Sequence, residues 1–223
     1  MTAHLDDQAT TTHGGSLSLR LAARSAAAFV LLAVLVAAKA DPVVSFDSWL
    51  SRAAHSAAIA APLWRAAMAA VTVTGSTTVI GPLAALACLI LLVRGRWRHA
   101  VFVVAALTIT LGARLAVLNV VARPRPVDQL APASSYAFPS GHTAASATAA
   151  LVAVMVCWPM LRRRGSRIAL AVVAGLWAVA VGVSRVALVV HWPTDVLGAW
   201  LFVLAVVPVV WWVCFRGQKT YTL

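Results

Sequence analysis

Six apolar stretches, at residues 21–40, 64–93, 99–121, 142–161, 168–190 and 196–215, constrain this chain more than any other feature in it. Each reaches about the 20 residues that an α-helix needs to cross the hydrocarbon core of a bilayer. Inside that core the backbone must satisfy its own N–H and C=O groups, which a helix does and an open sheet does not. The expected fold is therefore all-α, a polytopic membrane bundle of six transmembrane helices. Nothing the size of a soluble domain fits between the runs in 223 residues, so they read as one membrane domain over 20–216. Six spans also return both ends of the chain to the same side.

The segments between the runs set the orientation. Arg20 and Arg24, then Arg94, Arg96 and Arg98, then Arg162, Arg163, Arg164 and Arg167, then Arg216 and Lys219 border the spans in the pattern that retains short loops in the cytoplasm. The net charge of +12 is thus spread along span ends, which argues against nucleic acid as a partner and for the lipid bilayer. Residues 1–19 are polar and read as a disordered cytoplasmic tail, and 217–223 as a cytoplasmic C-terminal tail. The first run also has the look of a secretory signal, with "AKA" before Asp41, although its cleavage would leave the other helices oriented as before. The expected location is the plasma (inner) membrane, with 41–63, 122–141 and 191–195 outside. Segment 41–63 carries Phe46, Trp49, Leu50 and Ala53 at helical spacing, which suits a helix in the headgroup plane; a plain connecting loop is the alternative. Cys88, Cys157 and Cys214 lie inside apolar runs and read as buried packing residues, with neither disulfide nor metal spacing.

Polar residues gather in the outer segments. "ARPRPV" and "YAFPSGHTA" fall between the third and fourth runs, and "SRVALVVHWPTD" closes the fifth. Ionisable groups are costly at this depth, so a shared site is the natural reading. His191 and Asp195 are four apart, a spacing that shares a face on a helix. A carboxylate bonded to one ring nitrogen fixes the tautomer and leaves the other lone pair free to attack. An interfacial histidine beside a helix-start aspartate, with Pro193 in the first turn, would use the same residues. Ser140, Gly141 and His142 precede the fourth run, where a helix N-terminus offers free N–H groups to an anion, or where a polar turn simply caps the helix. Arg123 and Arg125 alternate with prolines; Arg125 is read as a phosphate ligand and Arg123 as a headgroup contact. Arg185 lies inside the fifth run, where an unpaired guanidinium needs a reason.

Taken together, these residues resemble the type 2 phosphatidic acid phosphatase family, whose active-site pattern is shared with vanadium-dependent haloperoxidases. The second family motif is complete as Pro139, Ser140, Gly141 and His142, and the third as Ser184, Arg185, His191 and Asp195. The first is half kept: Arg125 and Pro126 match, but Leu118 stands where the family has lysine. Arg114 lies one helical turn before Leu118, so its longer side chain is the candidate for the missing charge, against the alternative of an arginine snorkelling to the interface.

The resemblance implies hydrolysis of a lipid phosphate monoester or diphosphate with no cofactor and no metal. His191 would be the nucleophile, Asp195 its partner, and His142 the acid and then base. Arg125, Arg185, Ser140 and Gly141 would hold the phosphoryl oxygens, with Arg114 added by position. The aspartates outside, Asp41, Asp47, Asp128 and Asp195, suggest no compact metal cluster. A site at headgroup level favours a lipid substrate such as polyprenyl diphosphate, phosphatidylglycerophosphate or phosphatidate, and the outward orientation leans toward the polyprenyl carrier. A lipid phosphotransferase using the same intermediate, or a non-catalytic lipid-binding protein, would be compatible with many of the same residues.

Overall fold

The structure, a computed structural model, describes residues 3–216, with side chains from Ser18 onward. Its helices in order are α1 (Ala3–Ala37), α2 (Asp41–Ala60), α3 (Pro62–Thr74), α4 (Thr77–Val93), α5 (Trp97–Val121), α6 (Gly141–Cys157), α7 (Arg164–Ala187) and α8 (Pro193–Phe215). Six stretches among the described residues are long and apolar enough to cross a membrane: Ser18–Ala37, Pro62–Val93, Trp97–Val121, Gly141–Met160, Arg164–Ala187 and Pro193–Phe215. The protein is a multi-pass membrane bundle. Leu83, Val93, Val173 and Leu176 stand exposed on its outer surface, as side chains facing lipid should.

Some elements differ from the sequence reading or fall beyond what the structure describes. Helix α1 starts at Ala3 and so takes in most of the segment expected as a disordered tail; helical hydrogen bonds are local and need no apolar side chains. Residues 217–223, expected as a C-terminal tail, lie outside the described residues. The second span is two helices, α3 and α4, parted at Gly75 and Ser76. Segment 41–63 forms the 20-residue α2 plus the start of α3, a helix rather than a plain connecting loop. Phe46, Trp49 and Ala53 face outward, while Asp47, Ser51 and Ala58 are buried. The cysteines are free and half-buried against the core rather than fully enclosed.

At the centre, α5, α6 and α8 pack through Phe102, Ala106, Ala144, Val152, Ala199 and Val203. Small residues on α6 let neighbouring backbones come close, which is how helices associate where lipid removes the hydrophobic driving force. Its buried hydroxyls are satisfied within the helix: Ser146 donates to the Thr143 carbonyl and Thr148 to that of Ala144. Helix α1 lies along α8, where the Phe29 ring meets Phe138 and Phe202 at centroid distances of 5.8 and 5.0 Å. Phe138 also seats on Gly198, where any Cβ would come within 2.5 Å of its ring. That contact holds the connection between α5 and α6 against α8 and so fixes where the next residues, Pro139 to His142, begin.

Candidate active site

The chain turns sharply between α7 and α8. The Arg185 carbonyl accepts from the amides of both Val190 (3.1 Å) and His191 (3.3 Å), folding the chain back onto the last turn of α7. The turn requires Val189 at φ +54°, in the left-handed region that β-branched residues avoid, at a cost of about 1–3 kcal/mol. Burial of Leu188, Val189 and Val190 opposes that cost. The result puts His191 beside Arg185, and α8 starts only at Pro193. His191 and Asp195 therefore do not share a helical face as their spacing suggested; they meet across the entry turn of α8. Asp195 Oδ2 accepts from the Trp192 amide at 2.8 Å and lies 3.3 Å from His191 Nδ1. It caps the first turn of α8 and partners the histidine ring at once.

The histidine's tautomer follows from its other neighbour. Arg125 Nη1 lies 3.1 Å from His191 Nε2. A guanidinium has donors only, so Nε2 must accept and the proton resides on Nδ1, donated to Asp195. Burial pushes the His191 imidazole down to about 4, against the upward pull of Asp195, which leaves it neutral at pH 7 with its lone pair on Nε2. Arg125 is itself well anchored: it donates to the carbonyls of Ser135 (2.6 Å), Val190 (2.6 Å) and Tyr136 (3.2 Å). Burial lowers its guanidinium pKa, with Asp195 opposing.

Nε2 faces a cavity of about 370 Å³ at this end of the bundle, lined by Arg114, Arg125, Gly141, His142, Arg185 and His191 among others. Arg185, on the last turn of α7, donates to Thr72 Oγ1 of α3 at 2.7 Å, but its buried Nε has no partner. Arg114, two turns inside α5, donates from Nε to the Pro139 carbonyl at 2.8 Å and spreads its guanidinium over Gly141. A Cβ at Gly141 would stand 3.1 Å from Arg114 Cζ, so the glycine is what admits the arginine to the cavity. Gly141 also opens α6, whose first-turn N–H groups and positive dipole end suit an anion. Among the described residues, Arg114, Arg125 and Arg185 have no carboxylate within salt-bridge distance, since the ion pairs here are those of Arg123 and His191.

Two residues fall elsewhere than the sequence suggested. Ser140, expected to bind phosphate, is fully buried and is absent from the cavity lining; its Oγ accepts from Thr143 at 3.0 Å. Arg123, expected to meet headgroups, turns inward. It donates to Asp195 Oδ1 at 2.7 Å, to Asp47 Oδ2 at 2.5 Å and to Thr194 Oγ1 at 2.8 Å. A guanidinium fork offers enough donors to join these partners, whereas a headgroup contact would leave two buried carboxylates uncompensated. Asp47 and Asp195, scattered in sequence, thus converge on one arginine. Leu118 is buried and carries no charge to the site. Sequence reasoning missed Asp47, Thr72 and Thr194; for Asp47 the polar pair Asp47 and Ser51, away from the aromatic face of α2, was the available signal.

Comparison with known proteins agrees with this arrangement. A stretch of 83 residues is 45% identical to phosphatidylglycerophosphatase B of Escherichia coli K12, covering 37% of this chain and 31% of that protein, and the same holds for the Shigella flexneri protein. The chain thus matches about a third of the length of these curated relatives. The crystal structure described as the first transmembrane PAP2 type phosphatidylglycerolphosphate phosphatase, from Bacillus subtilis, superposes with a TM-score of 0.76 at 26% identity, over 87% of this chain and 98% of that one. The family model for the PAP2 superfamily matches residues 100–219, the part of the chain that carries the three motifs and the cavity between them, and the protein belongs to that superfamily.

Proposed function

We propose that the protein is an integral-membrane phosphatase that removes the terminal phosphate of phosphatidylglycerophosphate. The observation that carries this reading is the set of three guanidiniums without carboxylate partners, Arg114, Arg125 and Arg185, around one cavity that also holds two imidazoles. Buried cations of this kind want an anion, and planar guanidinium matches phosphate. Similarity to phosphatidylglycerophosphatase B and to the Bacillus subtilis phosphatidylglycerolphosphate phosphatase favours phosphatidylglycerophosphate over the polyprenyl carrier, which only the outward orientation supports.

In the reaction, a phosphate monoester entering the cavity draws Arg125 Nη1 from His191 Nε2 to a phosphoryl oxygen and frees the lone pair. Nε2 attacks phosphorus, the bond to the lipid's glycerol oxygen breaks, and His142 gives that oxygen a proton. Asp195 stabilises the cationic phosphohistidine through Nδ1–H. Water, deprotonated by His142, then breaks the P–N bond, releasing inorganic phosphate and restoring neutral His191. Arg185, Arg114 and the α6 amide of Gly141 hold the phosphoryl oxygens as charge builds on them, each preorganised donor contributing about 3 kcal/mol at the transition state. Basic residues at the opposite end of the bundle favour a cytoplasmic position there, which supports an outer headgroup level for the cavity and its substrate.

The test is release of inorganic phosphate from phosphatidylglycerophosphate in mixed micelles by the purified protein, with His191→Ala in parallel. Phosphate release that depends on His191 is the expected result. Transfer of the phosphate to an added lipid alcohol would mark a phosphotransferase, and binding without turnover a lipid-binding protein; either overturns the hydrolase reading.

A further inference from the structure

We propose that Asp47 on α2 is a positioning residue for phosphoryl transfer, fixing Arg123 so that Arg123 in turn fixes Asp195 behind His191. The proposal rests on the phosphatase reading above. Asp47 is 1% exposed, and its carboxylate accepts from Arg123 Nη2 (2.5 Å), the Thr194 amide (3.0 Å) and Thr194 Oγ1 (2.5 Å). It therefore clamps the guanidinium and the first turn of α8 together. Arg123 reaches Asp195 Oδ1 from the same fork, while Asp195 Oδ2 serves His191. The chain of contact runs from α2 to the nucleophile through two side chains, and Asp47 itself is not among the residues lining the cavity.

Charge gives this chain a catalytic consequence. Two carboxylates face one guanidinium, so Arg123 is balanced by Asp47 and Asp195 keeps its negative field on the imidazole. Without the Asp47 charge, Arg123 draws on Asp195 alone and weakens its hold on the cationic ring that forms during phosphoryl transfer. The other groups facing the site are cationic or neutral: Arg125 from the α5–α6 connection, Arg185 from α7, His142 from α6 and Arg114 from α5. Asp195 is the sole carboxylate bonded to His191 among the described residues, and Asp47 governs how much of it the ring receives. The orientation of α2 fits this role, since its polar side turns inward and delivers Asp47.

The experiment compares wild type, His191→Ala, Asp47→Asn, Asp47→Glu, Arg123→Lys and the Asp47→Asn/Arg123→Lys double variant in detergent-purified full-length protein, with phosphatidylglycerophosphate as substrate and vanadate as a phosphate-site probe. Asp47→Asn should lower kcat about 10- to 100-fold, the scale for groups that orient a catalytic ligand from behind. KM and vanadate inhibition should stay within about twofold, because Asp47 does not touch the anion. The acid limb of kcat/KM should move to lower pH as His191 loses support for its protonated form, and Asp47→Glu should recover much of the rate. The double variant should be no slower than Arg123→Lys alone, since both changes break one chain. Wild-type kcat in Asp47→Asn, an unmoved acid limb or additive losses would overturn the proposal. If Asp47→Asn does not fold, Arg123→Lys with unchanged kcat and pH profile would overturn it equally. A wild type that releases no phosphate, or an active His191→Ala, would overturn the phosphatase reading and this proposal with it; an active, His191-dependent enzyme indifferent to Asp47 would overturn this proposal alone.

Discussion

At the end of the bundle remote from the cavity, Arg94, Arg162, Arg163, Arg164 and Arg216 are exposed, and Arg98, Arg167 and Arg216 rest 5.3–5.9 Å from indole rings of Trp97, Trp158 and Trp212. At the cavity end, Arg114 and Arg185 are buried, and Arg125 is held by backbone carbonyls. The same side chain is cheap at one end and costly at the other. Solvated guanidiniums over aromatic rings act collectively and set topology. Desolvated ones without counter-charges act singly, each waiting for an anion. On the phosphatase reading, what sets the arginines proposed to bind phosphate apart from those of the remote end is loss of water together with the lack of a carboxylate, not position near a membrane face.

The sharpest way to break this comparison is to remove the group that the buried arginines surround. His191→Ala should reduce kcat at least about 10³-fold, and the acid limb of wild-type kcat/KM should lie near about 4, where the buried ring takes up a proton. A limb near histidine's ordinary 6.5 would show that burial does not govern the nucleophile. Next in size, Arg185→Ala should lower kcat/KM about 10²- to 10³-fold, as expected for one preorganised charge at a phosphoryl group. A smaller but more telling change is Gly141→Ala, which must push the Arg114 guanidinium by a few tenths of an ångström and should cost about tenfold in kcat/KM. Arg114→Ala should do at least as much; unchanged kinetics would show that this arginine does not replace the charge missing at Leu118. Least of all, Arg163→Ala with Arg164→Ala, at the remote end, should leave kcat/KM within about twofold in correctly inserted protein. A loss comparable to Arg185→Ala there would abolish the distinction between the two ends.

Much of this was legible in the chain because it is carried by local pattern. Apolar runs of spanning length gave the six membrane crossings, and fixed spacings gathered His142, Arg125, Arg185, His191 and Asp195 as one candidate set. The break at Gly75 and Ser76 went unread, although Thr74, Gly75, Ser76, Thr77 and Thr78 interrupt the apolar run in the way that parts helices. For α2 the spacing gave the apolar face that looks outward, but not which groups its polar side meets, because that depends on what lies beside the helix. Arg123 and Arg125 have almost identical local context, two residues apart with a proline after each, yet one bridges carboxylates and the other lies against the His191 ring. Ser140 belongs to a complete motif and still packs behind the cavity wall.

By itself, then, the sequence determined how many times the chain crosses a bilayer and which reactive side chains it carries to one end, because hydrogen-bond satisfaction in lipid and residue spacing are both local requirements. Only the tertiary structure decided which charges meet. Asp47 and Arg123 are separated by 76 positions and Thr72 and Arg185 by 113, and such pairs are selected by the packing of helices on one another, where a guanidinium loses water and must take whatever acceptor the neighbouring helix presents.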